Sequence, residues 1–264
     1  MFEGQGTLDD LAIFLLAEDR PSGVLVFNNS FIINSFGFMD TDYAKQILRK
    51  TVADYDSIAA KYSTVREKDW KEFDFLFEKY LNSGEKVLDL GCGNGRFHDS
   101  FTRKDVRYIG VDPSVKLIDI ARKKYPSGNF QVAAGESLPF SEGYFDSVWS
   151  IAVLHHIPSE ALRLEFLKES GRIVKKGGYL ILTVWDLKEK AEKGRGLFYR
   201  FKARKLEKGD VFLPWYGSRD TYFHCFNREE LVQLVKGSGF EIVEEGKIEV
   251  GLKPYSNIYI VAKK

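Results

Sequence analysis

The sequence predicts an α/β fold: a mostly parallel sheet with helices on both faces, closed by a C-terminal antiparallel hairpin. Three observations carry that expectation. From residue 86 onward, short apolar runs alternate with amphipathic segments of helical spacing, the pattern of buried parallel strands joined by crossover helices. The first run, Val87-Leu88-Asp89-Leu90, passes into Gly91-Cys92-Gly93-Asn94-Gly95. There the glycines permit unusual dihedrals and let a ligand approach the backbone. The second run, Val106 to Val111, ends on Asp112-Pro113-Ser114, with Asp112 17 residues beyond Gly95.

The elements follow in order. Ile47, Leu48, Val52, Tyr55 and Ile58 recur at helical spacing and give an amphipathic helix within 42–62. Residues 67–82, rich in Trp70, Phe73, Phe75, Leu76 and Phe77, read as a second helix. Then come strand 86–90, helix 96–103, strand 106–111, helix 115–125 capped by Ser114, strands 129–133 and 145–151, helix 159–174 and strand 179–184. Helix 227–238 precedes strands 240–249 and 256–263, joined by a turn near Pro254. Residues 39–82 are thus a helical N-terminal cap, and 83–264 a sheet domain carrying an insertion, 186–226. Residues 1–38 stand apart, with one short helix at Leu8 to Ala17 and a strand-like stretch at Val24 to Phe38. They are either a genuine extension or the product of a start assigned too early.

Composition narrows the function. With 264 residues, 44% of them apolar, the chain can bury one substantial core. Its net charge of +1 gives no overall basic field. Cys92 and Cys225 have no CxxC spacing, which argues against a disulfide framework or a zinc site and for a reducing cytoplasm. No run approaches the ~20 apolar residues of a membrane span. Asp9, Asp10, Glu18 and Asp19 stand where a signal peptide is basic.

Ligands of such sheets bind beyond the carboxyl ends of the strands. Asp112 is placed to accept the hydroxyls of a ribose, its alternative being a helix cap. The G-x-G-x-G spacing behind Asp89 resembles the first motif of the class I S-adenosylmethionine-dependent methyltransferases. That resemblance implies a Rossmann-like, seven-stranded sheet and S-adenosyl-L-methionine as cofactor. The third strand and its turn, Phe130-Gln131-Val132-Ala133-Ala134-Gly135-Glu136-Ser137-Leu138-Pro139-Phe140, also match, although Ala134 stands where the family has an adenine-contacting acid. Either Glu136 replaces that acid or backbone groups hold the adenine edge. The fourth motif, Phe145 to Pro158, ends beside the methionine half of the cofactor and offers His156 to the methyl acceptor. By resemblance the cofactor residues are Asp89, Gly91, Cys92, Gly93, Gly95, Asp112, Pro113, Gly135, Glu136 and Ser150; no metal is expected.

The insertion carries a local signature. Residues 186–208 hold nine basic side chains against four acids, interleaved with Phe198, Tyr199 and Phe201, a mixture suited to phosphates and bases or to a solvated surface helix. Several strings resemble one subfamily, the tRNA wobble-uridine carboxymethyl methyltransferases. They are Tyr55-Asp56-Ser57-Ile58-Ala59 through Arg66 to Trp70, Ser150 to His156, Thr183-Val184-Trp185, Gly209 to Trp215 and Thr221 to Phe226. The resemblance implies methyl esterification of 5-carboxymethyluridine in a tRNA anticodon loop. A carboxylate is already ionised at neutral pH and needs no general base. Arg66 is then expected to orient that carboxylate or a phosphate, Trp185 to stack on the base, and His156, Tyr222 and His224 to make its polar contacts. A small zinc-ribbon activator protein that adds a strand to the sheet edge is implied as well. Two other readings stay open: methyl transfer to a small metabolite such as a quinone precursor or organic acid, and a non-catalytic cofactor-binding scaffold.

Overall fold

The computed structural model describes residues 24–27, 31–34, 39–66, 70–187, 205–250 and 255–264. The chain divides into two units, Met1–Phe38 and Met39–Lys264. In the first, β1 (Val24–Phe27) and β2 (Phe31–Asn34) pair antiparallel, Val24 opposite Asn34. The short helix expected at Leu8 to Ala17 lies outside the described residues.

The second unit is organised by a seven-stranded sheet. Its strands are β3 (Lys86–Leu90), β4 (Arg107–Asp112), β5 (Phe130–Val132), β6 (Phe145–Ile151), β7 (Val174–Trp185), β10 (Glu241–Val250) and β11 (Tyr255–Lys263). They lie in the order β10-β11-β7-β6-β3-β4-β5. Strands β3 to β7 run parallel, and the β10–β11 hairpin closes the sheet antiparallel against β7. The winding passes from β3 outward to β5, then returns across β3 to β6. A crevice opens at that reversal, outside the carboxyl ends of β3 and β6. A separate hairpin, β8 (Asp210–Trp215) with β9 (Ser218–His224), comes from the insertion.

Alternating residues of the central strands fill two half-cores. Leu88, Leu90, Val148, Leu180 and Leu182 face one side, packed by helix α1 (Thr41–Val65), helix α5 (Glu160–Ile173) and helix α6 (Arg228–Gly237). Val87, Trp149, Ile181 and Val261 face the other, packed by α2 (Asp74–Tyr80), α3 (His98–Thr102) and α4 (Val115–Lys124). Burial on both faces is why these strands read as continuous apolar runs rather than alternating ones. The helix ends follow local chemistry: Asp40 caps α1, Ser114 caps α4, and Asn227 with Glu230 forms a capping box on α6.

Three boundaries differ from expectation. Within 67–82, residues 67–69 are outside the described set, Trp70 is extended, and a 3-10 turn (Lys71–Phe73) leads into the shorter α2. The apolar side chains Phe73, Leu76, Phe77 and Tyr80 are buried at helical spacing, while Trp70 turns toward two arginines. Strand β7 starts earlier than 179 because Val174 already pairs with Phe145, ahead of a register shift in which Gly177 takes φ +80° and Gly178 fits against the Asp146 carbonyl, 2.5 Å from where a Cβ would lie. The insertion supplies a hairpin that apolar counting missed. Its basic stretch from Lys188 to Arg204 and the turn at Pro254 lie outside the described residues. Among the described residues no helix is long and apolar enough to cross a membrane.

Trp149 is fully buried and stacks on Phe77 with ring centroids 4.8 Å apart. Trp149→Ala is expected to destabilise this unit by about 3–5 kcal/mol, read from urea unfolding. A loss under about 1 kcal/mol would mean this half-core is not a principal support of the fold.

Candidate active site

The crevice is a cavity open to solvent, floored by the ends of β3, β4 and β6 and walled by α1. Its floor is the glycine turn. Gly91 (φ +83°) and Gly93 (φ +55°) take left-handed dihedrals that side chains disfavour. A Cβ on Gly91 would lie 2.3 Å from Val153 Cγ2, whereas one on Gly93 would meet nothing closer than 4.0 Å. The N–H groups of Gly91 and Cys92 both donate to the Val111 carbonyl at 2.8 and 2.9 Å, tying the turn to the end of β4.

Two buried carboxylates flank the turn. Asp112 accepts from Gly93 N–H (2.9 Å) and Ser114 N–H (2.8 Å), and burial pushes its pKa up to about 6 despite those bonds. Asp89 accepts from the Tyr108 hydroxyl at 3.0 Å, and burial pushes it up to about 7, opposed by that bond and by Arg96. Each stands where a donor-bearing ligand could replace lost water. Ser114 Oγ–H also donates to Asp56 of α1, fastening that helix over the cavity.

The other end of the cavity is aromatic. Tyr55, His156 and Trp185 line it. His156 Nδ1 is 3.3 Å from the Tyr222 carbonyl, an acceptor only, so Nδ1 carries the proton; Nε2 then accepts from the Tyr55 hydroxyl at 2.9 Å. Burial holds His156 down to about 4 and the Tyr55 phenol well above its ordinary value. The pair is therefore neutral at physiological pH, with its basic nitrogen already engaged. Ala152, at φ +60°, turns the chain from β6 into this wall and is held by Thr183, whose carbonyl and Oγ1 both accept its N–H at 3.0 Å.

Two arginines complete the site. Arg66 ends α1, and its guanidinium lies 5.2 Å from the ring centroid of Trp70 and 5.9 Å from those of Trp185 and Trp215. Its carbonyl accepts from Asn94 Nδ2 at 3.1 Å, joining the helix end to the glycine turn. Arg96, which follows the turn, lies 3.9 Å from Trp70 and 4.6 Å from Phe97 and lines the cavity.

The structure sorts the sequence expectations. Asp89, Gly91, Cys92, Gly93, Asp112, Pro113, Gly135 and Glu136 line the cavity. Gly95 instead allows β5 and α4 to close, its Cβ position 3.0 Å from Phe130 and 3.3 Å from Ala121. Ser150 is fully buried in β6, away from the cavity lining. His156 and Trp185 line the cavity and Arg66 lies against Trp185. Tyr222 and His224 do not reach it. The Tyr222 hydroxyl (2.6 Å) and His224 Nδ1 (2.7 Å) both donate to Asp210 Oδ1, and His224 Nε2 donates to Glu230 at 2.7 Å. Glu207 pairs with buried Arg163 at 2.6 Å beside them. Glu207, Asp210 and His224 could geometrically hold a metal, but Arg163 and the donors from Tyr222 and His224 already occupy that charge. The network instead fixes β8 and β9, whose Tyr222 carbonyl sets the tautomer of His156. Sequence reading missed Arg96 and Tyr55 as site residues; the one available signal was a basic residue directly behind a glycine turn.

Comparison with known proteins agrees with this geometry. The methyltransferase domain family matches residues 88–182. The tRNA (carboxymethyluridine(34)-5-O)-methyltransferase of Schizosaccharomyces pombe is 31% identical over 236 residues, covering 79% of this chain and 94% of that protein. The alkbh8 tRNA (carboxymethyluridine(34)-5-O)-methyltransferase of Xenopus tropicalis is 37% identical over 55% of this chain, which spans only 22% of that longer protein. Among solved structures, a SAM-dependent methyltransferase from Methanosarcina mazei superposes with a TM-score of 0.62 at 26% identity, over 72% of this chain and 96% of its own. A chain of the Haloferax volcanii complex containing the Trm112 methyltransferase activator has the same fold, with a TM-score of 0.61 at 18% identity, over 79% of this chain and 95% of its own.

His224 sits between two carboxylates. Burial opposes its charge, but the bonds to Asp210 and Glu230 outweigh it and raise its pKa above 6.5. A raised folded-state value means the stabilisation is complete below 6.5 and is lost as pH rises through the folded value. Wild-type stability is therefore expected to fall relative to that of His224→Gln on the alkaline side, in urea unfolding at a series of pH values. Parallel curves would show that His224 is neutral in the fold.

Proposed function

The chain belongs to the family of the tRNA (carboxymethyluridine(34)-5-O)-methyltransferases, and from that premise we propose that it methylates the carboxylate of 5-carboxymethyluridine at the wobble position of tRNA. It is an S-adenosylmethionine-dependent methyltransferase. The observation that carries the substrate reading is the acceptor end of the cavity. Among the described residues that line this end, the basic nitrogen is His156 Nε2, which is already bonded to Tyr55 and held down to about 4, so a hydroxyl acceptor would find no free base in this pair. An acceptor carboxylate arrives ionised and asks only for cations and alignment.

The cofactor fits the residues present. The glycine turn leaves an open backbone cradle at Gly93, two carboxylates whose acidity burial weakens line the same cavity, and Arg96 NH1 is buried with no partner. When bound, S-adenosylmethionine supplies a methyl group on a positively charged sulfur. Asp112 is suited to accept from ribose hydroxyls and Asp89 from an ammonium group. Gly135 and Glu136 stand at the adenine side of the same cavity. Arg66 is the cation placed to orient the acceptor carboxylate, Trp185 and Trp215 give a surface on which a flipped uracil stacks, and Tyr55 with His156 shapes its polar edge.

The anticodon loop of a tRNA is the partner this reading requires, in a cytoplasmic setting, and the basic composition of residues 188–204 suits phosphates. A small activator protein that adds a strand belongs to the same reading. Of the two free sheet edges, β10 carries Glu241, Glu244, Glu245, Lys247 and Glu249, charges that discourage strand pairing. The short β5 edge carries none, and its Val132 is exposed.

With radiolabelled S-adenosylmethionine, with and without a zinc-ribbon partner, base-labile label is expected on tRNA bearing 5-carboxymethyluridine and none on tRNA with plain uridine. Label on neither, despite cofactor binding, overturns the reading in favour of a small-molecule acceptor. A second expectation concerns pH. Asp89 and Asp112, pushed up to about 7 and about 6, must be ionised to hold ammonium and hydroxyl groups. Cofactor affinity measured by calorimetry should therefore fall steadily from about pH 7.5 toward about pH 5. Affinity that stays constant over that range would remove both carboxylates from the binding site.

A further inference from the structure

Arg96 is placed unlike an ordinary surface arginine. It follows Gly95 directly, is only 7% exposed, and lies with its guanidinium 3.9 Å from the Trp70 ring centroid and 4.6 Å from that of Phe97. Its NH1 nitrogen is buried without a hydrogen-bond partner, and no carboxylate lies within ion-pair distance of it among the described pairs. A desolvated guanidinium with one nitrogen unpartnered, supported by two ring faces and the more distant Asp89 charge, is unfavourable unless a ligand anion completes it. Burial and the neighbouring charge of Arg66 both act against its charged form, so the local field favours an incoming anion.

The cavity narrows what that anion is. Arg96 shares it with Asp89 and Asp112, whose carboxylates face the same space across the glycine turn. A phosphate carrying two charges would meet both acids. A zwitterion would not: an α-amino acid group presents an ammonium for the acid and a carboxylate for the arginine, in one rigid unit. Asp89, whose charge is coupled to that of Arg96, is the matching acid. Arg66 lies at the aromatic mouth, with Trp185 and Trp215 as well as Trp70 around it, on the acceptor side.

We propose that Arg96 binds the α-carboxylate of the cofactor's methionine moiety, paired with Asp89 for its ammonium, leaving Arg66 for the carboxylate of the acceptor. Two carboxylates enter one active site, and each has its own arginine. The inference rests on the cofactor reading and is independent of which acceptor is methylated.

The test compares S-adenosylmethionine with its decarboxylated analogue by calorimetry, with no RNA present. Wild type is expected to prefer the full cofactor roughly 10- to 100-fold, the worth of one charge-assisted hydrogen-bonded pair. Arg96→Met is expected to lose that preference while binding the decarboxylated analogue as wild type does, which also shows that it has folded. Arg96→Lys should keep part of the preference, and Arg66→Met should keep it in full. If Arg96→Met does not fold, Arg96→Gln serves in its place. A preference that survives in the Arg96 variants, or that disappears in Arg66→Met, overturns the assignment. Wild type that binds neither compound would instead sink the cofactor reading beneath it.

Discussion

The Asp112 carboxylate is where the separate parts of this site are held together. One oxygen takes the N–H of Gly93 and the other that of Ser114, so a single side chain at the end of β4 fixes both the glycine turn after β3 and the first turn of α4. The Ser114 hydroxyl carries the connection on to Asp56, and with it to the helix that roofs the cavity. Gly91 and Cys92 reinforce the same junction through the Val111 carbonyl. The arrangement leaves Asp112 buried with its acidity weakened, a cost that the rest of the fold must offset. It also leaves the carboxylate lining the cavity.

The acceptor wall is organised less directly. His156 owes its tautomer to a carbonyl on β9, and β9 owes its position to a hydrogen-bonded chain of charged groups that runs from Arg163 through Glu207 and Asp210 to His224 and Glu230. None of these groups touches the cavity. Their effect reaches it through one backbone oxygen, the Tyr222 carbonyl on β9.

What the sequence made legible was local. The glycine spacing, the acid closing β4 and the apolar strands each announce themselves within a dozen residues, and they pointed to residues that line one end of the cavity. The acceptor half depends on pairings across long stretches of chain: Tyr55 with His156, Asn94 with the end of α1, Asp210 with His224. No periodicity encodes those. Tyr222 and His224 read as ligand-facing because polar aromatic residues in a distinctive string suggest contact, yet burial beside Asp210 gave them another use. The opposite error befell Arg96, a basic residue at a helix start that sequence alone would leave in solvent, where the rings of Trp70 and Phe97 instead draw it inward. Gly95 and Ser150 share a motif with true cavity residues but serve packing.

The placement of the tryptophans gives the protein an optical property. Of its four, Trp149 is sealed in the core, while Trp70, Trp185 and Trp215 surround the Arg66 guanidinium, with Trp185 and Trp215 ring centroids 4.7 Å apart. Three of the four indole emitters thus sit at the active-site mouth beside a cation that perturbs their excited states. The intrinsic fluorescence of the chain is in effect a gauge of that mouth, with Trp149 as the steady internal background. A ligand that displaces Arg66 or slides between the rings changes the signal without any label being attached.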